Sequence, residues 1–309
     1  MRLTTILTVI TFLAIAISGF GCDNRSQSGQ VPTAKPTVVC TTTMIADLAR
    51  NLAANRLEVI GLMKAGEDPH IYRPRPTDAL QIGKAKILLC NGLHLEGTLA
   101  KIIENNLPQN ALNIALAEDP RIKPLESEIH KGAPDPHCWF NVGYFKIYAE
   151  GCLTAFIKAD PAGKSIFEAA AAKYFRELDA LDAHVRTQMN AIPKARRVLI
   201  TSHDAFQYFG REYDVEVHAL IGISTEQAPR PQDIEALVRL VNEKQIKSLF
   251  VETSVSGTLN DLLRKVGAKA HIEVGGVLYS DSLDSEGSAT GTYIGMVRHN
   301  VDTIGKALK

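Results

Sequence analysis

From Thr37 onward, short apolar runs alternate with amphipathic stretches, and this alternation limits the folds open to the chain more than any other feature. "TVVCTTT", "RLEVIGLM", "KILLCNG" and "ALNIAL" read as strands. "MIADLARNLAA", "TDALQIGKA" (capped by Thr77) and "LEGTLAKIIENN" read as the helices between them. A second series starts near Arg197. Its strands are "RVLITS", "VEVHAL", "SLFVET" and "AHIEVGG", its helices are "DAFQYFGREY", "PQDIEALVRLVNEK" and "TLNDLLRKVG", and "TYIGMVRHNVDTIGKAL" closes it as a helix. Such alternation predicts parallel sheets with helices on their faces. Between the series lies "DPAGKSIFEAAAAKYFRELDALDAHVRTQMNAI", rich in Ala, Glu, Lys and Leu and free of internal Pro. Asp160-Pro161 suits a cap followed by Pro in the first turn. The stretch predicts one helix of about 28 residues, or ~42 Å at 1.5 Å per residue. The fold class expected is therefore α/β. Two lobes, each a mostly parallel sheet flanked by helices, are joined by one long rigid helix.

The first residues have a different character. Arg2 is followed by the apolar run "ILTVITFLAIAI", shorter than the ~20 residues a spanning helix needs and suited to a signal peptide. The run closes on "SGFGC". A Gly-Cys pair there resembles the end of a bacterial lipoprotein signal, although Gly19 stands where an aliphatic residue is usual. Lipidation of Cys22 and anchorage to a membrane are expected. The polar stretch after it reads as a tether. The chain thus divides into a signal peptide (1–21), a tether (22–36), an N-terminal α/β lobe (37–159), a linking helix (160–192) and a C-terminal α/β lobe (193–309).

Lys+Arg and Asp+Glu both number 34, so no basic surplus points to nucleic acid. Cys40, Cys90, Cys138 and Cys152 show no CxxC spacing, which argues against a thiolate zinc cluster. Cys40 and Cys90 sit in apolar runs as small core residues. In an oxidising compartment a disulfide between them stays open as an alternative. No HExxH, P-loop or GxGxxG motif occurs. Ser202-His203-Asp204 spells a triad in a row, but sequence neighbours do not make triad geometry. "KARR" (Lys194 to Arg197) reads as a solvated face.

Ligands of open α/β sheets bind beyond the carboxyl ends of strands. His70, His137, His203 and Asp281 fall at such element ends, and Asp-Pro precedes both His70 and His137. Pro fixes φ and stiffens the loop. Asp68 and Asp135 are placed to orient the imidazoles that follow them. Three imidazoles and a carboxylate are a donor set for zinc, and for harder ions such as manganese. Each histidine alone has a plainer reading as a solvated or core side chain.

The stretches "DPHIYRPRPTDALQIGKAKILLCNGLHLEG", "DPHCWF", "TSHDAFQYFGREY", "GISTEQAPRPQDI", "FVETSVS", "GGVLYSDSL" and "TYIGMVRHNV" resemble, in order, the cluster A-I (TroA-like) solute-binding receptors of zinc or manganese ABC transporters. The resemblance implies two lobes on a rigid helix, with metal held between them by His70, His137, His203 and Asp281. It implies one Zn2+ or Mn2+ per chain, an ABC permease as partner, an extracytoplasmic location on the periplasmic or cell-surface side, and a monomeric receptor rather than an enzyme. The sequence departs from the family after His137. Cys138-Trp139-Phe140-Asn141-Val142 stands where the family has x-Trp-Leu-Asp-Pro, which is expected to alter the start of the following helix. Cys138 is not counted as a donor. His94, His130, His184, His218, His271 and His299 are assigned no metal role. A zinc metallohydrolase on the same cluster, with Glu67 or Asp204 as base, and a metal-dependent surface adhesin are the rival readings.

Overall fold

The structure is a computed structural model that describes residues 35–126 and 132–309. The signal peptide, Cys22, nearly all of the tether and His130 lie outside the described residues.

The first half carries β1 (Thr37–Cys40), α1 (Thr43–Ala53), β2 (Glu58–Gly61), α2 (Pro76–Ile82), β3 (Ile87–Cys90), α3 (Leu99–Asn106) and β4 (Leu112–Ala115). The four strands form one sheet in the order β2-β1-β3-β4, every pair parallel, with Val39 in register with both Ile60 and Leu88. Successive side chains of a strand face opposite ways. Val38, Cys40, Ile87 and Leu89 accordingly enter the large core with α1, while Val39 and Leu88 enter a separate core with Ile82, Leu99 and Ile103 of α2 and α3. Both faces are covered, so the strands are near-continuously apolar.

A helix that begins right after the second Asp-Pro-His loop, α4 (Val142–Ala159), leads into a 3-10 turn at Pro161–Gly163 and then α5 (Lys164–Asn190). Where the family has Asp-Pro, Asn141 Oδ1 accepts from Tyr144 N at 3.1 Å and caps α4, with Val142 first in the helix. Two start signals differ from expectation. Thr77 lies inside α2, because Pro76 occupies the first helical position and Arg75 the cap; the Asp78 carboxylate accepts from Arg75 N at 2.7 Å. Asp160 supplies no side-chain cap; its carboxylate pairs with Arg56 at 2.6 Å.

The 27 residues of α5 span ~40 Å. Phe167, Ala171, Tyr174, Leu178, Leu181, Val185 and Met189 recur at three- and four-residue intervals and are all buried, the stripe that a helix lying on a core requires. That stripe packs on α1, on α4 and on the last helix, α9 (Tyr293–Leu308). The link is therefore held along its length by helices from both ends of the chain.

The second half carries β5 (Val198–His203), α6 (Gln207–Tyr213), β6 (Glu216–Ile221), α7 (Pro231–Glu243), β7 (Ser248–Glu252), α8 (Gly257–Ala270) and β8 (Glu273–Leu278), ahead of α9. β5 pairs with β6 and β7 with β8, both parallel. β5 lies beside β7, but no ladder joins them among the described residues. Side chains bridge the gap instead: Ser202 Oγ donates to Asn260 Oδ1 at 2.7 Å, and Asn260 Nδ2 donates to Glu252 O at 2.7 Å. Val198, Ile200, Leu249 and Val251 face α7 and α8, while Leu199, Val217, Phe250 and Leu278 join the large core. A side chain at Gly276 would overlap Thr303, so glycine there lets α9 lie on β8.

The large core is continuous from β1 to α9. At its centre Tyr293 stacks on Phe145 with ring centroids 3.5 Å apart, and its hydroxyl donates to Trp139 O at 2.7 Å. Thr292 caps α9, and Asp47 of α1 accepts from the first helical N–H, that of Tyr293, at 2.9 Å from the opposite half. Cys40, Cys90, Cys138 and Cys152 are all free thiols.

If α5 is the spine of this core, Leu181→Ala should lower unfolding free energy by about 2–5 kcal/mol, whereas Lys173→Ala on its exposed face should stay within about 0.5 kcal/mol. Urea unfolding of the metal-free protein measures both, and equal effects would contradict the packing described.

Candidate metal centre

The two Asp-Pro-His copies fold into the same local device. Asp68 Oδ1 accepts from His70 N at 2.9 Å, and Asp135 Oδ1 accepts from His137 N at 2.9 Å. An aspartate bonding its own backbone two residues on is a turn-former, and the intervening Pro removes one torsional freedom. Each copy is thus a stiff turn that projects one imidazole. Asp135 Oδ1 also lies 2.7 Å from Nδ1 of His137. Asp68 does not repeat this: its Oδ2 takes a 2.5 Å hydrogen bond from Thr225 Oγ1 across the molecule.

His203 is the last residue of β5, a strand buried at every position. Its backbone N–H donates to Glu252 Oε1 at 2.9 Å, and its Nδ1 lies 2.7 Å from Glu252 Oε2, off the line of a good hydrogen bond. Asp281 follows β8 by three residues. Its N–H donates to Ser254 Oγ at 3.2 Å, and the adjacent Ser280 carbonyl accepts from the Trp139 indole at 3.2 Å.

These four side chains meet. One donor atom from each of His70, His137, His203 and Asp281 lies within 4.8 Å of the others, and all four residues are buried. The Nε2 atoms of His70 and His137 are 3.2 Å apart. Asp281 oxygens stand 3.8 Å from His70 Nε2, 3.5 Å from His137 Nε2 and 3.1 Å from His203 Nε2. Tetrahedral donors around an ion with bonds of about 2.0–2.1 Å would be ~3.3–3.4 Å apart, so the cluster has the size of a single coordination shell. Both Asp281 oxygens and His203 Nε2 are buried without a hydrogen-bond partner. Orphaned atoms of this kind are costly unless something else fills the gap, and a divalent cation fits the donor set.

The electrostatics are those of charges confined together. Burial alone would make Asp281 a neutral acid, but the three imidazoles, His203 foremost, outweigh it and hold its carboxyl well below the usual range. Burial likewise opposes a charge on His203, yet Asp281 and Glu252 hold its pKa well above the ordinary value. Burial pushes His70 down to about 3, with Asp281 working against the shift and His137 and His203 adding to it. Burial and Asp281 push Asp68 up to about 6.

Other sequence candidates fall elsewhere. Cys138 is outside the cluster, and burial pushes its thiol up to about 12. Ser202 Oγ turns to Asn260 and the Asp204 carboxylate to Gln207, so no triad forms around His203. His184 pairs with Asp302 and His218 with Glu216, and His299 meets the Val277 carbonyl. His271 ends α8 in the left-handed region. His94 lines, with His70, Pro136, Ile223 and Glu226, a cavity of about 250 Å³ that opens beside the cluster.

The family model for ZnuA, described as zinc-uptake complex component A, periplasmic, matches residues 38–307. The chain belongs to this family. Among its relatives, the manganese-binding lipoprotein MntA of Bacillus subtilis is 38% identical over 308 residues, covering 98% of this chain and 99% of MntA. The zinc-binding protein TroA of Treponema pallidum is 35% identical over 291 residues, covering 94% of this chain and 92% of TroA. The solved structure of the periplasmic zinc-binding TroA from Treponema pallidum superposes with a TM-score of 0.84 at 36% identity, over 89% of this chain and 99% of that one. The fold of this zinc-uptake family member is thus the TroA-like one that the resemblance implied.

Sequence reasoning missed Glu252. The sequence carried only a partial sign, a lone acid at the end of the largely apolar "SLFVE" strand; its burial and its partner appear only in the fold. Trp139 and Ser254, which hold the Asp281 loop, gave no such sign.

The charge balance makes a prediction for the metal-free protein. His70 has a folded pKa of about 3, below its unfolded ~6.5, so the unfolded state gains a proton first and stability falls as pH drops from about 6.5 toward 3. His203 works oppositely, adding stability at and below about 6.5 that is lost only as pH rises through its elevated value. His70→Gln should therefore shrink the loss in melting temperature between about pH 7 and 4.5. An unchanged loss would show that His70 is not held neutral in the fold.

Proposed function

We propose that this chain is an extracytoplasmic receptor that captures one divalent transition metal, Zn2+ ahead of Mn2+, between its halves and delivers it to an ABC importer. The observation that carries the reading is the unpartnered Asp281 carboxylate facing three imidazole Nε2 atoms in a buried, shell-sized cluster. His70, His137, His203 and Asp281 are the ligands. Asp135 orients His137, and Asp68 holds the backbone of His70. Four protein donors complete a tetrahedron, whereas catalytic zinc usually keeps a position open for water, so the arrangement favours carriage over hydrolysis.

Relatives named as metal ABC transporter substrate-binding lipoproteins support the partner and the anchor. On this reading the lipid sits on Cys22, residues 22–36 reach out from the membrane, and the monomer works through lobes at 37–159 and 193–309 joined by 160–192. No described helix is long and apolar enough to cross a membrane.

Relatives carry both manganese and zinc in their names. Imidazole suits zinc, and zinc stands above manganese in the general affinity order, so three nitrogens and one carboxylate select zinc in vitro.

Calorimetric titration tests ligands and selectivity together. Wild type should bind one ion per chain. His70→Ala and Asp281→Ala should each weaken binding strongly, while His184→Ala should not. His203→Glu should narrow the zinc-over-manganese ratio by weakening zinc more. Equal behaviour of all the variants would overturn the ligand assignment.

A further inference from the structure

His203 is held unlike the other two imidazoles. The stiff Asp-Pro-His turns position His70 and His137 from within their own loops. His203 has no such turn. It ends a strand, and the group that fixes it comes from another strand: Glu252 of β7 reaches both the backbone N–H and the ring Nδ1 side of the same residue. Glu252 is itself 1% exposed and anchored, its N–H donating to Asn260 Oδ1 at 3.0 Å and its carbonyl accepting from Asn260 Nδ2 at 2.7 Å. Asn260 Oδ1 in turn accepts from Ser202, the residue before His203. This small network stands where a β5–β7 ladder would otherwise fix the strand end.

We propose that Glu252 is a positioning residue for metal selection: it clamps His203 at the short distance zinc requires and thereby sets much of the preference for zinc over manganese. The inference rests on the metal-site reading given above. A carboxylate beside the far nitrogen fixes the ring's tautomer and orientation and strengthens the donor. The Glu252 carboxylate 2.7 Å from Nδ1 favours the tautomer with its hydrogen on that nitrogen, which leaves the Nε2 lone pair for the cluster. The hydrogen bond to the backbone N–H, with the carboxylate charge beside the ring, keeps the imidazole from retreating. Manganese, a harder ion suited to more oxygen donors, gains less from a fixed nitrogen than zinc does.

The test compares Glu252→Gln, Glu252→Asp and His203→Ala with wild type. It reads zinc and manganese affinities by competition titration, the visible spectrum of the cobalt-loaded protein, and the melting temperature without metal. Glu252→Gln should lose about 10–100-fold in zinc affinity, lose less for manganese, and alter the cobalt bands that report tetrahedral geometry. Glu252→Asp keeps the charge but is too short to reach both nitrogens. It should show the same changes in smaller degree, and it decides the matter should the Gln variant not fold. A merely structural glutamate would lower the metal-free melting temperature and leave the metal ratio and the cobalt spectrum alone; that result overturns the proposal. If His203→Ala binds zinc like wild type, the metal-site reading itself fails.

Discussion

A buried carboxylate without a hydrogen bond is the constraint on which the structure turns. Asp281 is 1% exposed, and neither of its oxygens has a partner. Isolated, such a charge would neutralise itself by taking a proton. Here three imidazoles, delivered from three distant parts of the chain, keep it ionised. The arrangement is only partly self-sufficient, since His203 is favoured as a cation and burial keeps His70 neutral. A divalent ion would satisfy all four donors at once, and that is why the cluster reads as a binding site rather than as a structural ion pair.

Placing four such groups together demands a rigid frame. The two Asp-Pro-His turns stiffen their loops locally, whereas His203 and Asp281 depend on strand ends. What relates these pieces is the continuous core: α5 lies against α1, α4 and α9, and Asp47 of the first helix accepts from the first N–H of the last. Further bonds cross at the cluster's rim, Gly66 N to Ser282 Oγ at 2.8 Å, Leu283 N to Thr43 Oγ1 at 2.8 Å, and Thr225 to Asp68. Each such bond contributes about 0.5–1.5 kcal/mol, so together they fix the two halves at the cluster without any one of them dominating.

Much of this was legible in the sequence, for identifiable reasons. Strand and helix order followed from periodicity, because the central strands β1, β3, β5 and β7 are buried on both faces and the long helices on one. The four clustered residues were legible because they are polar groups at the ends of apolar elements. Errors came where two local signals competed. Thr77 is a favoured cap residue, but Pro76 before it already fixed the helix start. Asp160 precedes a Pro as a cap would, but Arg56, more than 100 residues away, claims its carboxylate. Glu252 was illegible as a partner of His203 because its role depends on β5 lying beside β7 without a ladder, a tertiary relation no local pattern encodes. The difference between Asp68 and Asp135 is of the same kind, since Thr225 is what draws Asp68 away.

On the proposed function, one ion sits between these four side chains. A crystal structure of zinc-loaded protein, with anomalous scattering recorded on both sides of the zinc absorption edge, tests it most directly. A single anomalous peak is expected about 2.0–2.1 Å from Nε2 of His70, His137 and His203 and about 2.0–2.2 Å from a carboxylate oxygen of Asp281. A peak bound elsewhere, or one at this place with Cys138 sulfur or a water replacing any of the four, would contradict it.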